Sequence, residues 1–247
     1  MNDIGIGIMC FGDDHYYQGA QEKLENIRKN SGIPCYILTD DFDKIKFTSP
    51  NDYHRSLRYN REFKSYYDKM MLVKEILKHH NICILIDADT HITDYSFLHN
   101  LKKHNFKPGI SYPDVLLNHP EKKEYVIELD LDSLEWRGYD EYARSLYPEY
   151  GDFELIWEYF MVFNKEGFNQ KEFYRHYEKL QIVKEFYGLP LKKEVNGAGE
   201  GVSISISSKL SDTMCQRDHV LYDIIKDKMV NVSRKHTRKE NWPKWME

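Results

Sequence analysis

The stretch ICILIDADT, residues 82–90, is a short apolar run that ends in two carboxylates separated by one residue. Five consecutive apolar residues are too few for an independent helix and favour a strand buried on both faces, as in a parallel sheet covered by helices. Ligands of open α/β sheets bind outside the carboxyl ends of the strands, so Asp87 and Asp89 are expected at that edge. Residues i and i+2 of a strand point the same way, so both carboxylates are expected to face one cation or one polar ligand. The alternative is that they only cap a turn.

Length and composition indicate a single domain that is large enough to be an enzyme. The 247 residues suffice for one large core, and a net charge of -5 does not indicate a general nucleic-acid binder. The four cysteines lack metal-site spacing and resemble small buried side chains in a reducing compartment. No segment has the roughly 18 to 20 apolar residues of a membrane span, and the N-terminus lacks the regions of a signal peptide. We therefore expect a cytoplasmic protein without a transmembrane segment.

The first half of the chain predicts alternating strands and helices. Residues 4–9, where isoleucines alternate with Gly5, Gly7 and Met9, read as a first strand whose small residues would let another element pack close. Apolar runs at residues 35–38 and 82–86 read as two more strands, and helices are predicted between the three. The first helix is predicted to end at Gly32; its polar side chains, expected to face away from the core, are Glu22, Lys23, Asn26 and Lys29. The second carries an apolar face from Phe63 to Leu77. Right-handed crossovers then predict an α/β fold with three layers, α/β/α, and a mostly parallel central sheet.

The second half is less regular. Residues 112–150 contain three prolines and many acids and tyrosines, and are expected to cover one side of the crevice. A strand is predicted over residues 157–163 and a helix after it. Residues 196–201 read as a glycine-rich turn, followed by isoleucines that alternate with serines up to Ile206. That alternation predicts a strand, with a short helix as the alternative.

Three strand ends bring polar groups to one edge of the predicted sheet: the Phe11-Gly12 loop, Asp40, and the pair Asp87 and Asp89. A nucleotide diphosphate fits this arrangement, with its diphosphate bridged by a metal to the last two. Two carboxylates and phosphate oxygens suit Mg²⁺ or Mn²⁺, which prefer hard oxygen ligands. Lys69, on the preceding helix, could add a cation, although a lysine there is often solvated.

The segments that carry this pattern resemble the nucleotide-sugar domain of GT-A glycosyltransferases, nearest to the glycogenin-like and galactosyltransferase-like retaining families. They are Met9 to Gly12, Cys35 to Asp40, Lys69 to Val73, and Leu85 to Thr90. The resemblance implies a Rossmann-like nucleotide-diphospho-sugar transferase fold in a single domain over residues 1–247. Residues 1–110 would form the donor-binding half, and residues 111–247 the acceptor half with a C-terminal lid.

The resemblance also implies roles for individual residues. Asp87 and Asp89, flanking Ala88, would bind Mn²⁺ or Mg²⁺ and the donor diphosphate. The other donor-binding residues would be Cys10, Phe11, Gly12, a stacking Tyr16 or Tyr17, Asp40 and Lys69. His236 would be a third metal ligand, although the histidine and the Lys-Pro-Trp segment of the glycogenin-like enzymes appear here in altered order and spacing. Glu200 is the first candidate for an acid beside the transferred sugar, and Glu158 the second.

The resemblance thus implies a metal-dependent hexosyltransferase, which moves the sugar of a nucleotide-diphosphate sugar to an acceptor hydroxyl in glycan synthesis. A UDP-sugar is the first candidate for the donor. One alternative is a haloacid-dehalogenase-like phosphatase, which also places Asp-x-Asp after a buried strand. That class expects Thr or Val where this chain has His91, and it carries the motif on its first strand. The other alternative is a catalytically silent module that binds a sugar nucleotide or a glycan.

Overall fold

The structure, a computed structural model, describes residues 3–46, 56–58, 67–113, 159–186 and 199–231. The strands in these ranges are β1 (Ile4–Cys10), β2 (Cys35–Thr39), β3 (Ser56–Arg58), β4 (Ile82–Ile86), β5 (Thr90–Ile92), β6 (Gly109–Pro113), β7 (Phe160–Asn164), β8 (Cys215–Asp218) and β9 (Met229–Asn231). The α-helices are α1 (Asp14–Ser31), α2 (Tyr67–His79), α3 (Phe97–Leu101), α4 (Gln170–Phe186), α5 (Gly199–Leu210) and α6 (His219–Ile225), with a 3₁₀ turn at Phe42–Lys44.

The described strands form one seven-stranded sheet in the order β3-β2-β1-β4-β7-β6-β8, and a separate antiparallel pair of β5 and β9. Within the large sheet, β7 runs antiparallel to both of its neighbours, while the other adjacent pairs are parallel. β4 lies in the middle of the sheet. The predicted α/β fold class with a mostly parallel sheet is therefore confirmed, and the apolar stretch at residues 82–86 is its central strand.

β4 is buried on both faces, as its five apolar residues predict. All of them are at most 6% exposed. The isoleucines at 82, 84 and 86 face one apolar cluster, which α1, α3 and α6 complete, while Cys83 and Leu85 face a second cluster, which α2, α4 and α5 complete. Side chains of successive strand residues point to opposite faces, so the two clusters lie on the two sides of the sheet. This gives the three layers that the sequence predicts.

Two glycines of β1 allow α2 to lie close to the sheet. A Cβ atom at Gly5 would lie 2.7 Å from the Ile76 side chain, and one at Gly7 would lie 2.8 Å from the side chains of Ile76 and Leu85. Small residues in a strand interior mark such close approaches. The prediction that these glycines admit a neighbouring element is confirmed, and the element is α2.

The strand predicted from the alternation of serine and isoleucine after residue 201 is wrong, because these residues belong to helix α5. In a helix, Ile204 and Ile206 point to different sides, and both are fully buried because the helix is covered all round. One of the buried serines bonds within the helix, since Ser208 Oγ donates to the Ile204 carbonyl at 2.7 Å. The alternation of isoleucine and serine therefore does not mark the two faces of a strand, because both residue types are buried in a helix that is covered on all sides.

Other sequence predictions are confirmed in part. Gly32 ends α1 with the left-handed φ of 64° that glycine favours. The strand predicted at 157–163 is β7, four residues of which fall within that range, whereas residues 157 and 158 lie outside the described residues. Residues 114–150 also lie outside them. Among the helices of the described ranges, none has both the length and the hydropathy needed to cross a bilayer.

Gly109 and Gly32 provide a matched test of backbone strain. Both have positive φ, but a Cβ at Gly109 would lie 2.3 Å from the Met214 carbonyl oxygen, whereas one at Gly32 would meet nothing within 4 Å. We expect Gly32→Ala to lower the free energy of unfolding by about 1 kcal/mol, the cost of a left-handed side chain. Gly109→Ala should cost about 3 kcal/mol or more, because backbone must also move. Urea denaturation followed by circular dichroism measures both, and equal losses would contradict the role of the Met214 contact.

Candidate functional site

The two carboxylates lie in a tight turn directly after β4. The Thr90 N–H donates to the Asp87 carbonyl at 3.1 Å, which closes a four-residue turn around Ala88 and Asp89. The strand itself ends at Ile86, so the expectation that the pair would align as i and i+2 of a strand is replaced by a turn. Asp87 and Asp89 are half-buried, and Ala88 is buried in the apolar cluster on the α1 side.

Lys69 of α2 contacts the first carboxylate. Its Nζ lies 2.6 Å from Asp87 Oδ1, and its side chain is 7% exposed, against 23% for that of Asp87. The solvated alternative for Lys69 is therefore excluded. Because α2 lies on one face of the sheet, this cation reaches the turn from that side.

Lys23 of α1 reaches the same turn from the opposite face. Its Nζ donates to the Ala88 carbonyl at 2.7 Å and to the Gly19 carbonyl at 3.2 Å. The residue is only 1% exposed, so the expectation that Lys23 faces solvent is wrong. Burial lowers the pKa of Lys23 to about 8, against the attraction of Glu22, Asp89 and Asp87, and the side chain remains mainly protonated at neutral pH.

Sequence reasoning missed Lys23, although a signal was present. Lys23 follows Ala20 by three residues and precedes Ile27 by four, which places it on the apolar face of α1. A lysine on an apolar face is usually explained by a long stem that reaches water. Here the stem leads instead to a carbonyl beside the carboxylate pair.

The carboxylates of Asp87 and Asp89 repel each other. Burial, and then the charge of Asp87, raise the pKa of Asp89 to about 6, while Lys69 and Lys23 act in the opposite direction. Near neutral pH the turn therefore holds two negative charges at some cost in free energy. A cation bound between them would relieve that cost.

A second group of polar residues lies at the carboxyl end of β2, on the other side of β1 from β4. The Tyr17 hydroxyl donates to Asp40 Oδ1 at 2.5 Å, and Lys44 lies over the Tyr17 ring, 4.5 Å from its centroid. Lys44 also pairs with Asp14 at 2.8 Å. Tyr17 is 4% exposed, so its ring has little surface left for a base, whereas Tyr16 beside it is half-buried. Tyr17 is thus placed to orient Asp40, and Tyr16 remains the candidate for stacking.

The loop after β1 also belongs to this edge. Phe11 is half-buried, and Gly12 is exposed with a φ of 91°. The Cys10 side chain is fully buried, and burial raises the pKa of its thiol to about 12, opposed by a hydrogen bond with Thr39. Cys10 therefore offers only its backbone to a ligand. β2, β1 and β4 are adjacent and parallel, so this loop, Asp40 and the carboxylate turn do lie at one edge.

The second half of the chain returns to the carboxylate turn at two places. The Asp87 N–H donates to the Tyr159 carbonyl at 3.1 Å, and Tyr159 directly follows Glu158. Thr90 is paired with Asn231 in the β5–β9 ladder, which brings the C-terminal segment beside Asp89. Glu158 and His236 themselves lie outside the described residues.

Glu200 lies in the first turn of α5 and not in the glycine-rich turn that the sequence predicts. α5 leads into β8, and β8 is parallel to β6. A helix that connects back into such a strand starts toward the carboxyl edge of the sheet, so the turn with Glu200 begins on the side of the sheet where Asp87 lies.

The described residues contain no cluster of three or more histidine, cysteine, aspartate or glutamate side chains that would hold a metal by themselves. Asp87 and Asp89 nevertheless fit a divalent cation of the Mg²⁺ or Mn²⁺ type, which commonly takes one or two carboxylates and completes its shell with water and phosphate oxygens. The observation that supports this fit is the donor set itself, two half-buried carboxylates separated by one residue directly after a strand. The turn alone does not supply a full set of ligands, so a cation there would also need oxygen ligands from water or phosphate.

Asparagine substitutions of the two carboxylates should have opposite effects on stability. A pKa raised from 3.8 to about 6 means that ionised Asp89 destabilises the fold, with no effect below pH 3.8 and the full effect above pH 6. We expect Asp89→Asn to raise the free energy of unfolding by about 1 to 3 kcal/mol at pH 7.5 without metal, and by almost nothing at pH 3.5. Asp87→Asn should lower it at pH 7.5, because the ion pair between Lys69 and Asp87 is lost. Urea denaturation at the two pH values measures this, and stabilisation of the same size by both variants would contradict it.

Comparisons with known proteins add little beyond the geometry. No protein-family model matches the sequence, and no curated protein matches it. Among solved structures, the chain is similar to the crystal structure of galactosyltransferase LgtC in complex with donor and acceptor sugar analogs. The two are 12% identical, the alignment covers 90% of this chain and 78% of that chain, and the TM-score is 0.48. At this identity and TM-score the likeness carries no argument about function.

Proposed function

We propose that this protein is a metal-dependent glycosyltransferase that moves a sugar from a nucleotide diphosphate to an acceptor hydroxyl. UDP is the first candidate for the nucleotide. The observation that carries the proposal is the carboxylate turn after β4, with Asp87 and Asp89 at the carboxyl edge of the sheet and a buried lysine on either side. Ligands of open α/β sheets bind at this edge. The motif resemblance to GT-A glycosyltransferases supplies the reaction class.

Each polar group at the carboxyl edge of the sheet would then contribute to donor binding. Asp87 and Asp89 would hold the metal, whose chemistry is to neutralise the charge that develops on the departing diphosphate. Lys69, already beside Asp87, would place a second positive charge there. Phe11, Gly12 and Tyr16 would bind the base, and Asp40, oriented by the Tyr17 hydroxyl, would bind the ribose. Residues 1–110 would thus form the donor half of a single domain.

The acceptor side would come from the second half of the chain. Glu158 precedes the residue whose carbonyl accepts from Asp87, and Glu200 lies in the turn that starts toward the same edge. One of these two carboxylates would lie beside the transferred sugar, and Glu200 is the first candidate. The C-terminal residues after β9 would close over the diphosphate as a lid, because β9 ends against Thr90.

Nucleotide binding should depend on both the metal and the carboxylate turn. A ligand that binds only the folded protein raises the melting temperature, by about 5 °C or more when it is present at about 100 times its Kd. We expect such a shift with UDP or a UDP-sugar in the presence of Mn²⁺, and none in Asp87→Ala. Differential scanning fluorimetry with UDP, GDP, ADP and CDP, each with and without Mn²⁺, measures it.

Asp223→Ala is the matched control, because it removes the same charge from an exposed carboxylate of α6 that pairs with Lys226 at 2.7 Å. It should keep the full shift. No shift with any nucleotide would reject the proposal, and release of phosphate from simple phosphomonoesters would then favour the phosphatase alternative. A shift without sugar transfer to any acceptor in a broad panel would favour the silent binding module, and unchanged transfer in Asp89→Ala would reject the metal assignment.

His236 should strengthen the response to Mn²⁺. Asn231 lies opposite Thr90, and five residues lead from Asn231 to His236, a reach of roughly 16 Å when extended. This is enough for His236 to approach Asp89 as a third ligand. We expect His236→Ala to reduce the Mn²⁺-dependent shift with UDP, while the matched substitution of exposed His99 leaves it intact. Equal shifts in the two variants would remove His236 from the metal site.

A further inference from the structure

Lys23 is a buried charge that touches the carboxylate turn through its backbone. Its ammonium donates to the Ala88 carbonyl at 2.7 Å and to the Gly19 carbonyl at 3.2 Å, at a residue exposure of 1%. Both of these acceptors are neutral carbonyl oxygens. Burying an ammonium group costs free energy even when it is hydrogen-bonded, so a lysine at this point calls for a physical reason.

The charges around the turn suggest that reason. Asp87 and Asp89 contribute two negative charges, Lys69 lies 2.6 Å from the first, and Lys23 holds the carbonyl of the residue between them. Two negative and two positive charges make the set formally neutral. A divalent cation that enters alone is attracted by the two carboxylates, but it is repelled by both lysines, and Lys23 cannot turn away into solvent.

A cation that arrives with a diphosphate meets a different balance. The anion's charges offset those of the cation, and the two lysines then attract the anion. Electrostatic energies in a half-buried site are larger than in water, so one fixed charge has a measurable effect on this balance.

We propose that Lys23 is a specificity-determining residue: it weakens the binding of a bare divalent cation to the carboxylate turn and favours a cation accompanied by a diphosphate. The diphosphate part of this inference rests on the proposed function, whereas the effect on the bare cation does not. The interaction is electrostatic, and the Ala88 carbonyl fixes the place of the charge.

The test is to remove the charge and keep the stem. Lys23→Met should bind Mn²⁺ alone about tenfold tighter than the unaltered protein, because one repelling charge is removed. Electron paramagnetic resonance of free Mn²⁺ and calorimetry at constant pH and ionic strength measure this affinity. The factor by which saturating UDP increases Mn²⁺ affinity should fall about tenfold in the same variant. A residue that merely supports the fold predicts the opposite sign, since a distorted turn binds Mn²⁺ more weakly.

Lys29→Met is the matched control, because Lys29 is an exposed lysine in the last turn of the same helix. It should bind Mn²⁺ like the unaltered protein. Mn²⁺ affinity that is unchanged or weaker in Lys23→Met would overturn the proposal. If Lys23→Met does not fold by circular dichroism, Lys23→Gln keeps an N–H donor without the charge, and the same two results support or overturn the proposal.

The two proposals fail in different ways. If the unaltered protein shows no response to UDP with Mn²⁺, the proposed function fails, and the comparison of Mn²⁺ alone between Lys23→Met and the unaltered protein still decides the role of Lys23. If UDP and Mn²⁺ bind together but Lys23→Met binds Mn²⁺ no tighter, the role of Lys23 fails and the proposed function stands.

Discussion

Repulsion between two carboxylates in one half-buried turn is the constraint around which the described structure is arranged. Asp87 and Asp89 lie at the end of the central strand, where the interior on both faces of the sheet is apolar. Like charges in such a place are stabilised by cations nearby. The structure supplies them from both helical layers, Lys69 from α2 and Lys23 from α1. Only a strand covered on both faces can receive a lysine from each side.

The packing of α2 is part of this arrangement. Gly5 and Gly7 let α2 lie against β1, and the same helix carries Lys69 to Asp87. The position of a charged site residue thus depends on the absence of two side chains in a neighbouring strand. The turn also carries a stability cost, since the ionised form of Asp89 is disfavoured in the fold. Sites that pay such a cost are common where a ligand is to be bound.

The second half of the chain completes the edge through backbone pairing. β7 runs antiparallel beside β4, so its first residues begin where β4 ends, and the Tyr159 carbonyl accepts from the Asp87 N–H. The β5–β9 ladder brings a segment from near the C-terminus to the residue that follows Asp89. These contacts join residues more than seventy positions apart in the chain, and none of them depends on a recognisable side-chain motif.

Much of the first half could be predicted from local pattern. The apolar run ending in Asp87 and Asp89, the glycines of β1 and the stop at Gly32 determined a central buried strand, its layers and the edge where the polar groups gather. Such patterns survive folding because they report which side of an element is buried. The strand prediction failed at α5 because burial on all sides of a helix removes the contrast between faces from which the secondary structure is inferred. Local sequence pattern was therefore enough to predict the fold class and the two carboxylates. The place of Lys23 beneath them depends on a tertiary contact, because its ammonium donates to the carbonyl of Ala88, which is 65 positions away in the chain.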